Sequence, residues 1–331
     1  MPKKIAFDVR GETPNLDHYR RNWVSGPNMG VAGMWIGAVL TDAKGEYFFG
    51  LRGADDFVRG MTHTVMPVCG FRKLQKTLNA PPPHLFPEYA GIDWFEPMQY
   101  VDTGDNVQLT YDSGRIERTA DGFYWSDASG RWELRGKTYS DVCVVHVPKQ
   151  EGVEHEFAYR HELLKVEGTV AGIEVAGHLH HDYAYAPDGM IYSELPIARV
   201  LQGLWVSWLH EYADGRIGGG FFWQGRGDLD FGPGYLLKGG VTTVHNDITA
   251  NPTLNENGQL VGLDFKIGKE AYGFELEMVG SPIHFFGRIS KDSSGELPAR
   301  SWCWVEYNDG TKLTPQHLDR GVRRVALARG R

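Results

Sequence analysis

Met34-Trp35-Ile36-Gly37-Ala38-Val39-Leu40, then Thr41-Asp42-Ala43-Lys44-Gly45, then Glu46-Tyr47-Phe48-Phe49-Gly50-Leu51 is the stretch that decides the fold class. Two apolar, aromatic-rich runs flank a short polar loop that ends in glycine, which reads as a β-hairpin. The pattern returns at 122–136, where Gly122-Phe123-Tyr124-Trp125 and Arg131-Trp132-Glu133-Leu134 flank Ser126-Asp127-Ala128-Ser129-Gly130. Trp125 and Trp132 are then expected to pair across the hairpin, a contact worth roughly 0.2–1 kcal/mol. Further strands are expected over 141–147, 164–175, 204–212, 217–224, 261–267, 271–279, 283–289 and 300–307. Turn pairs punctuate them: Asp188-Gly189, Asp214-Gly215, Asn257-Gly258 and Asp309-Gly310. Helical periods are short and confined to 53–59 and 194–202. An α/β fold needs helices of about ten or more residues between strands, so the chain reads as all-β.

The 331 residues include 42 glycines, well above the usual ~7%, and aromatics make up 12%. Glycine recurs between strand-like runs, as turns demand. Length suggests two domains at about 100–200 residues each. The polar, turn-like stretch at 147–152 divides the chain almost in half, giving an expected border between 1–155 and 156–331. Residues 60–100 carry Pro81-Pro82-Pro83, Pro87 and Pro97 and read as a long excursion over one end of the first domain. Net charge is −8, with no basic stripe of a nucleic-acid binder. Cys69, Cys143 and Cys303 are three unclustered cysteines, which read as buried thiols rather than a disulfide framework. The N-terminal segment lacks the apolar run of a signal peptide, and no stretch approaches 18 apolar residues. The expectation is a cytoplasmic protein with no membrane span.

The densest group of ionisable side chains is Gly177-His178-Leu179-His180-His181-Asp182-Tyr183-Ala184-Tyr185. In an extended chain alternate residues share a face. His178, His180 and Asp182 fall on one face, and Leu179, His181 and Tyr183 on the other. Two imidazoles and a carboxyl can act as a tuned proton donor and acceptor or bind a metal; they can also be satisfied core groups. Gly172, His178 and His180 match the start of a cupin metal motif, but no Glu follows at the required spacing. A metal-dependent enzyme of cupin type using His178 and His180 is therefore an alternative, and no tightly bound metal is expected. Trp205, Phe222, Trp223 and Tyr185, with Glu306, are candidate walls of a cavity for a hydrophobic small molecule, although aromatic stripes at strand spacing are also ordinary core. No nucleotide loop, P-loop or GxSxG elbow occurs. The basic tail from Arg320 to Arg331 reads as a final strand with a solvated end.

Three stretches together resemble the tandem lipocalin-like proteins grouped with AttH and the carotenoid 1,2-hydratases. They are the Trp35-to-Leu51 hairpin, the run from Val166 to Val175 leading into the His-rich segment, and the closing Trp302-Cys303-Trp304-Val305-Glu306-Tyr307. The resemblance implies two lipocalin-like antiparallel β-barrels side by side, with a ligand cavity near their junction. It also implies cofactor-independent acid–base chemistry on a hydrophobic substrate: hydration, cyclisation or isomerisation of an isoprenoid-like or aromatic metabolite. On that reading Asp182 is the acid, His180 its partner or the base, and His178 and Tyr183 orient them. A non-catalytic binder of a hydrophobic ligand is the other alternative. The substrate and the oligomeric state are left open.

Overall fold

The computed structural model describes residues 3–20, 29–54, 63–73, 95–112, 114–128, 130–187, 190, 195, 201–280 and 283–309; for 52–54, 63–73 and 95–98 it describes the backbone alone. Two antiparallel sheets dominate it. The expected hairpin forms between Met29–Thr41 and Tyr47–Ala54, with Leu40 opposite Phe48 and Trp35 opposite Gly53. From there the sheet runs through His63–Lys73, Phe95–Asp102, Val107–Tyr111, Gly114–Arg118, Gly122–Asp127, Trp132–Thr138 and Leu163–Val170. The ring closes because Ile173–Pro187 pairs with Leu163–Val170 on one side and with Met29–Thr41 on the other. Ten strands thus form a closed antiparallel barrel, which leaves no edge within the ring.

Ile173–Pro187 is 15 residues long and outruns its barrel partner. Its second half pairs with Phe157–His161, which continues the sheet to Val142–Val147 and Asp8–Glu12. The second sheet has nine strands in the order Val241–His245, Gly234–Lys238, Ile217–Gln224, Leu204–Glu211, Arg300–Tyr307, His284–Asp292, Glu270–Val279, Leu260–Ile267 and Ile248–Leu254. Lys3–Lys4 pairs in parallel with Leu229–Asp230 and ties the start of the chain to the second half. The described helix is one 3₁₀ turn, Leu16–Tyr19. No helix among the described residues is long and apolar enough to cross a membrane.

Strand alternation sorts the apolar residues into three cores. Met34, Ile36, Phe48, Trp125, Trp132, Leu179 and Tyr185 fill the first barrel. Val206, Trp208, Phe222, Phe265 and Phe285 fill the curl of the second sheet. Between them lies a seam of Val39, Phe49, Tyr159, Trp205, Phe221, Trp223, Phe286 and Trp304. Trp302 Nε1 donates to Thr41 Oγ1 at 2.9 Å across that seam.

The first barrel also buries charge. Glu162 and Arg118 pair at 3.0 Å, Tyr19 donates to the same Glu162 oxygen at 2.7 Å, and Arg160 lies 4.0 Å over the Tyr183 ring.

Several expectations change against this frame. The border placed at 155/156 falls between strands of one sheet; sheet membership changes between Pro187 and Leu204. The stretch 60–100 is not one excursion, since His63–Lys73 and Phe95–Asp102 are barrel strands. Pro67 is tolerated there because it stands where both ladders end, one residue past the Arg52–Val68 pair and in the last pair with Phe95, so its missing N–H removes little. Pro81-Pro82-Pro83, nearly all of the helical candidates at 53–59 and 194–202, and the tail from Arg320 lie outside the described residues. Trp125 stands opposite Leu134 rather than Trp132; the two indoles meet diagonally, edge to face, with centroids 5.9 Å apart. Cys143 and Cys303 are buried free thiols, and the Cys69 side chain lies outside the description.

The expected single strand over 164–175 is a hairpin turning at Ala171-Gly172, where both residues have positive φ, 53° and 75°. This is the geometry that tight hairpins with right-twisted strands require, and Asn-Gly fits it best. Alanine there carries left-handed strain of about 1 kcal/mol. Ala171→Asn is therefore expected to raise the melting temperature by a few degrees; an unchanged or lowered melting temperature would refute the turn geometry.

Candidate functional site

From Gly177 to Ala186 both faces of the strand Ile173–Pro187 are buried, and they look into different compartments. Leu179, Tyr183 and Tyr185 enter the first barrel, while Ala184 and Ala186 face the seam. His178, His180 and Asp182 share the seam-facing side by the same alternation. Opposite them the second sheet presents Trp205, Ser207 and Trp304. The interface encloses a cavity of about 200 Å³ lined by Trp35, Leu51, Tyr159, His180, Asp182, Gln202, Trp205, His284, Trp304 and Glu306.

The lining is graded. His180, Asp182, Tyr159, Trp205 and Trp304 are buried and form the floor. Trp35, Leu51, Gln202, His284 and Glu306 are partly exposed and form the rim. On the floor, His180 Nε2 lies 3.5 Å from Asp182 Oδ2. The His180 ring sits edge-to-face against Trp205 and Trp304, at 4.7 and 4.6 Å between centroids. The main chain makes room for this: a Cβ at Gly37, which lies opposite His180 in the ladder, would stand 2.3 Å from His180 Nε2 and 2.4 Å from Trp304. On the rim, His284 and Glu306 are cross-strand partners with Nε2 3.4 Å from Oε1. Gln202 donates to the other Glu306 oxygen at 2.7 Å.

Burial sets the protonation states on the floor. It pushes the Asp182 carboxyl well above its ordinary value. A hydrogen bond from Tyr159 and the charge of Arg160 oppose that shift, while Glu306 and Glu162 add to it. The Tyr159 hydroxyl is itself held by Trp205 Nε1, which donates to it at 3.0 Å. Burial, reinforced by neighbouring His178 and His284, drives His180 well below the imidazole range. Burial thus favours the uncharged form of both floor groups, the Asp182 carboxyl and the His180 imidazole, which avoids the cost of burying free charge.

The structure gathers four of the residues singled out from sequence, Asp182, His180, Trp205 and Glu306, around this cavity. His178 lies on the same strand face but turns aside, with Nε2 2.7 Å from Ser207 Oγ. Its ring is 5.9 Å from that of His180 and tilted by 54°. Trp223 belongs to the seam and packs on Tyr159 at 4.4 Å, away from the lining. Tyr183 and Tyr185 do not reach the cavity because they face the first barrel, where they stack on each other at 6.1 Å. Phe222 faces the interior of the second sheet, 5.1 Å from Phe265. The same two-residue alternation removes all three.

Sequence reasoning missed Trp35, Leu51, Tyr159, Gln202, His284 and Trp304 as lining residues. His284 had a readable signal: it opens an apolar strand on the parity of seam-facing Phe286, and that strand adjoins the one bearing Glu306. Tyr159 had none, since the strand Phe157–His161 was not expected. Among the described residues, no group of three His, Cys, Asp or Glu side chains is placed to hold a metal ion.

No family model and no curated protein matches the chain. Two solved structures are similar to it. A protein described as AttH from Nitrosomonas europaea shares 12% identity at a TM-score of 0.38, over 82% of this chain and 91% of that one. Kievitone hydratase from Nectria haematococca shares 11% identity at a TM-score of 0.39, over 90% of this chain and 97% of that one.

Burial also holds His161, His178, His181 and His210 below the ordinary imidazole value, His178 at about 3 and His210 at about 4. Unfolded, these rings titrate near 6.5, so between that value and their folded values the unfolded chain binds more protons and acid favours unfolding. The melting temperature is expected to fall as pH is lowered from 7 to 5. His178→Gln, which titrates in neither state, should flatten part of that slope. A stability independent of pH over this window would contradict neutral buried imidazoles.

Proposed function

We propose that this chain is a cofactor-independent acid–base enzyme, a hydro-lyase in its simplest form, acting on an alkene carried by a hydrophobic small molecule. The observation that carries the reading is Asp182, a buried carboxyl with a raised pKa on the floor of an aromatic cavity, facing a carboxylate–imidazole pair at a wetter rim. A carboxyl kept protonated near neutral pH can donate where an ordinary one cannot.

In the hydration direction the Asp182 O–H bond breaks and its proton adds to one alkene carbon, leaving a carbocation at the other. The indole faces of Trp205 and Trp304 stabilise that cation. A water at the rim, ordered by Glu306 and His284, adds its oxygen to the cation and passes one proton to that pair. One C–H and one C–O bond form at the expense of the π bond. A proton returned from the rim to Asp182 resets the site. Cyclisation and isomerisation share the first step and differ in what captures or quenches the cation. A cavity of about 200 Å³ is smaller than a typical whole-ligand site of ~300–1,000 Å³, so the reacting end enters while the remainder lies across the rim. Two buried free thiols suit the cytoplasmic setting that belongs to this reading.

The test uses alkene-bearing isoprenoid and aromatic metabolites. In D₂O the product is expected to carry one non-exchangeable deuterium on carbon. Asp182→Asn should cut turnover by on the order of 10²–10⁴ while leaving binding within a few-fold, and Glu306→Gln should lower turnover with the cation-forming step intact. Full turnover by Asp182→Asn would place the acid elsewhere. Binding with no turnover by the wild type would make the chain a binding protein.

A further inference from the structure

Behind the cavity floor a chain of buried side chains runs through the seam with no link to solvent. Leu163 N–H donates to Ser140 Oγ at 3.0 Å, and Ser140 Oγ lies 3.2 Å from the Tyr235 hydroxyl. Tyr235 is 3.0 Å from His161 Nδ1, His161 Nε2 is 3.0 Å from Ser207 Oγ, and Ser207 Oγ is 2.7 Å from His178 Nε2. Ser140, Tyr235, His161, Ser207 and His178 are all less than 5% exposed. At its far end the backbone of Leu164 favours a proton on the His178 ring. The chain therefore starts and finishes on successive residues of one strand. Its middle member, His161, faces the acid: His161 Nε2 is 3.8 Å from Asp182 Oδ1.

Each hydroxyl has one proton and each neutral imidazole one N–H, so the chain can point in only two directions. If Tyr235 donates to Ser140, the Ser140 proton is left buried without an acceptor in the chain. In the other direction only the last proton, on His178 Nδ1, lies outside the chain, near the Leu164 backbone but without a close hydrogen bond of its own. Ser140 donates to Tyr235, Tyr235 to His161 Nδ1, His161 Nε2 to Ser207, and Ser207 to His178 Nε2, which leaves the His178 proton on Nδ1, on the Leu164 side. A buried hydroxyl proton with no acceptor beside it is less favourable than an N–H turned toward the Leu164 backbone, and that selects the second direction.

We infer that the Ser140–Tyr235–His161–Ser207–His178 chain locks His161 as its Nε2–H tautomer, held by Ser207, so that the ring turns an N–H edge rather than a lone pair toward Asp182 and His161 is a positioning residue for the acid. His161 then cannot take the Asp182 proton. Its Nε2–H stays with Ser207, and the positive edge of the ring, 3.8 Å from Asp182 Oδ1, favours the carboxylate that forms once Asp182 has donated over the acid before it. Phe221 holds the imidazole plane by stacking at 4.1 Å. The role of His161 in turnover rests on the reading of Asp182 as the acid; the tautomer lock does not.

The test reads the tautomers directly, by long-range proton–nitrogen correlation spectra of protein labelled with ¹⁵N-histidine, assigned with His161→Gln and His178→Gln. The wild type is expected to show neutral His161 protonated at Nε2 and neutral His178 protonated at Nδ1. Tyr235→Phe removes the donor to Nδ1, and His161 should then move to a tautomer mixture or to Nδ1–H; Ser140→Ala, a smaller change, should shift it in the same sense. A wild-type His161 protonated at Nδ1, or a tautomer unmoved in both variants, overturns the inference. If the wild-type tautomers are as stated and turnover survives Asp182→Asn, the lock stands and the acid assignment alone fails.

Discussion

The strand Ile173–Pro187 has almost no solvent face over its second half, and the rest of the molecule depends on that constraint. It closes the first barrel with one edge and half of the other, and it supports the added strands with what remains. Its side chains alternate between two interiors, so the sequence His178-Leu179-His180-His181-Asp182-Tyr183 is sorted residue by residue. Odd positions serve the barrel and even positions serve the seam. A slip of one residue would exchange the two sets and turn Leu179, His181 and Tyr183 to the seam in place of the two imidazoles and the acid. Pairing on both sides over most of the strand makes such a slip costly, and the chemistry inherits its precision from that pairing.

Burying so many ionisable groups is tolerable only if they are neutral or paired. The seam uses neutrality: its imidazoles lie below their ordinary range and its carboxyl above, through burial first of all. The first barrel uses pairing, through Glu162 with Arg118 and Tyr19. Glycine lets side chains approach the main chain in the seam and in the second sheet. Gly37 clears space for His180 and Trp304, and Gly220 does so for Trp208, whose ring would stand 2.3 Å from an added Cβ.

The all-β class was legible because hairpin turns and strand alternation are local. The early hairpin, the second-sheet strands near 204–224 and 260–307, and the sharing of one face by His178, His180 and Asp182 all follow from near neighbours in the chain. What stayed hidden is non-local or set by backbone strain. Ala171 takes a positive φ that alanine does not advertise. The strand at 63–73 is disguised by Pro67, acceptable because it stands where the ladders to both neighbours end. Phe222 and Tyr185 look like cavity walls until the partners of their strands are known. The rim pair His284 and Glu306 meets only through register, since 22 positions separate the two residues in the chain.

The central claim is that burial keeps Asp182 protonated near neutral pH. Difference infrared spectroscopy of the wild type against Asp182→Asn at pH 7 tests it most directly. The account predicts a protonated-carboxyl C=O band in the wild type that is missing from the variant. An ionised carboxylate signature in its place would contradict the account.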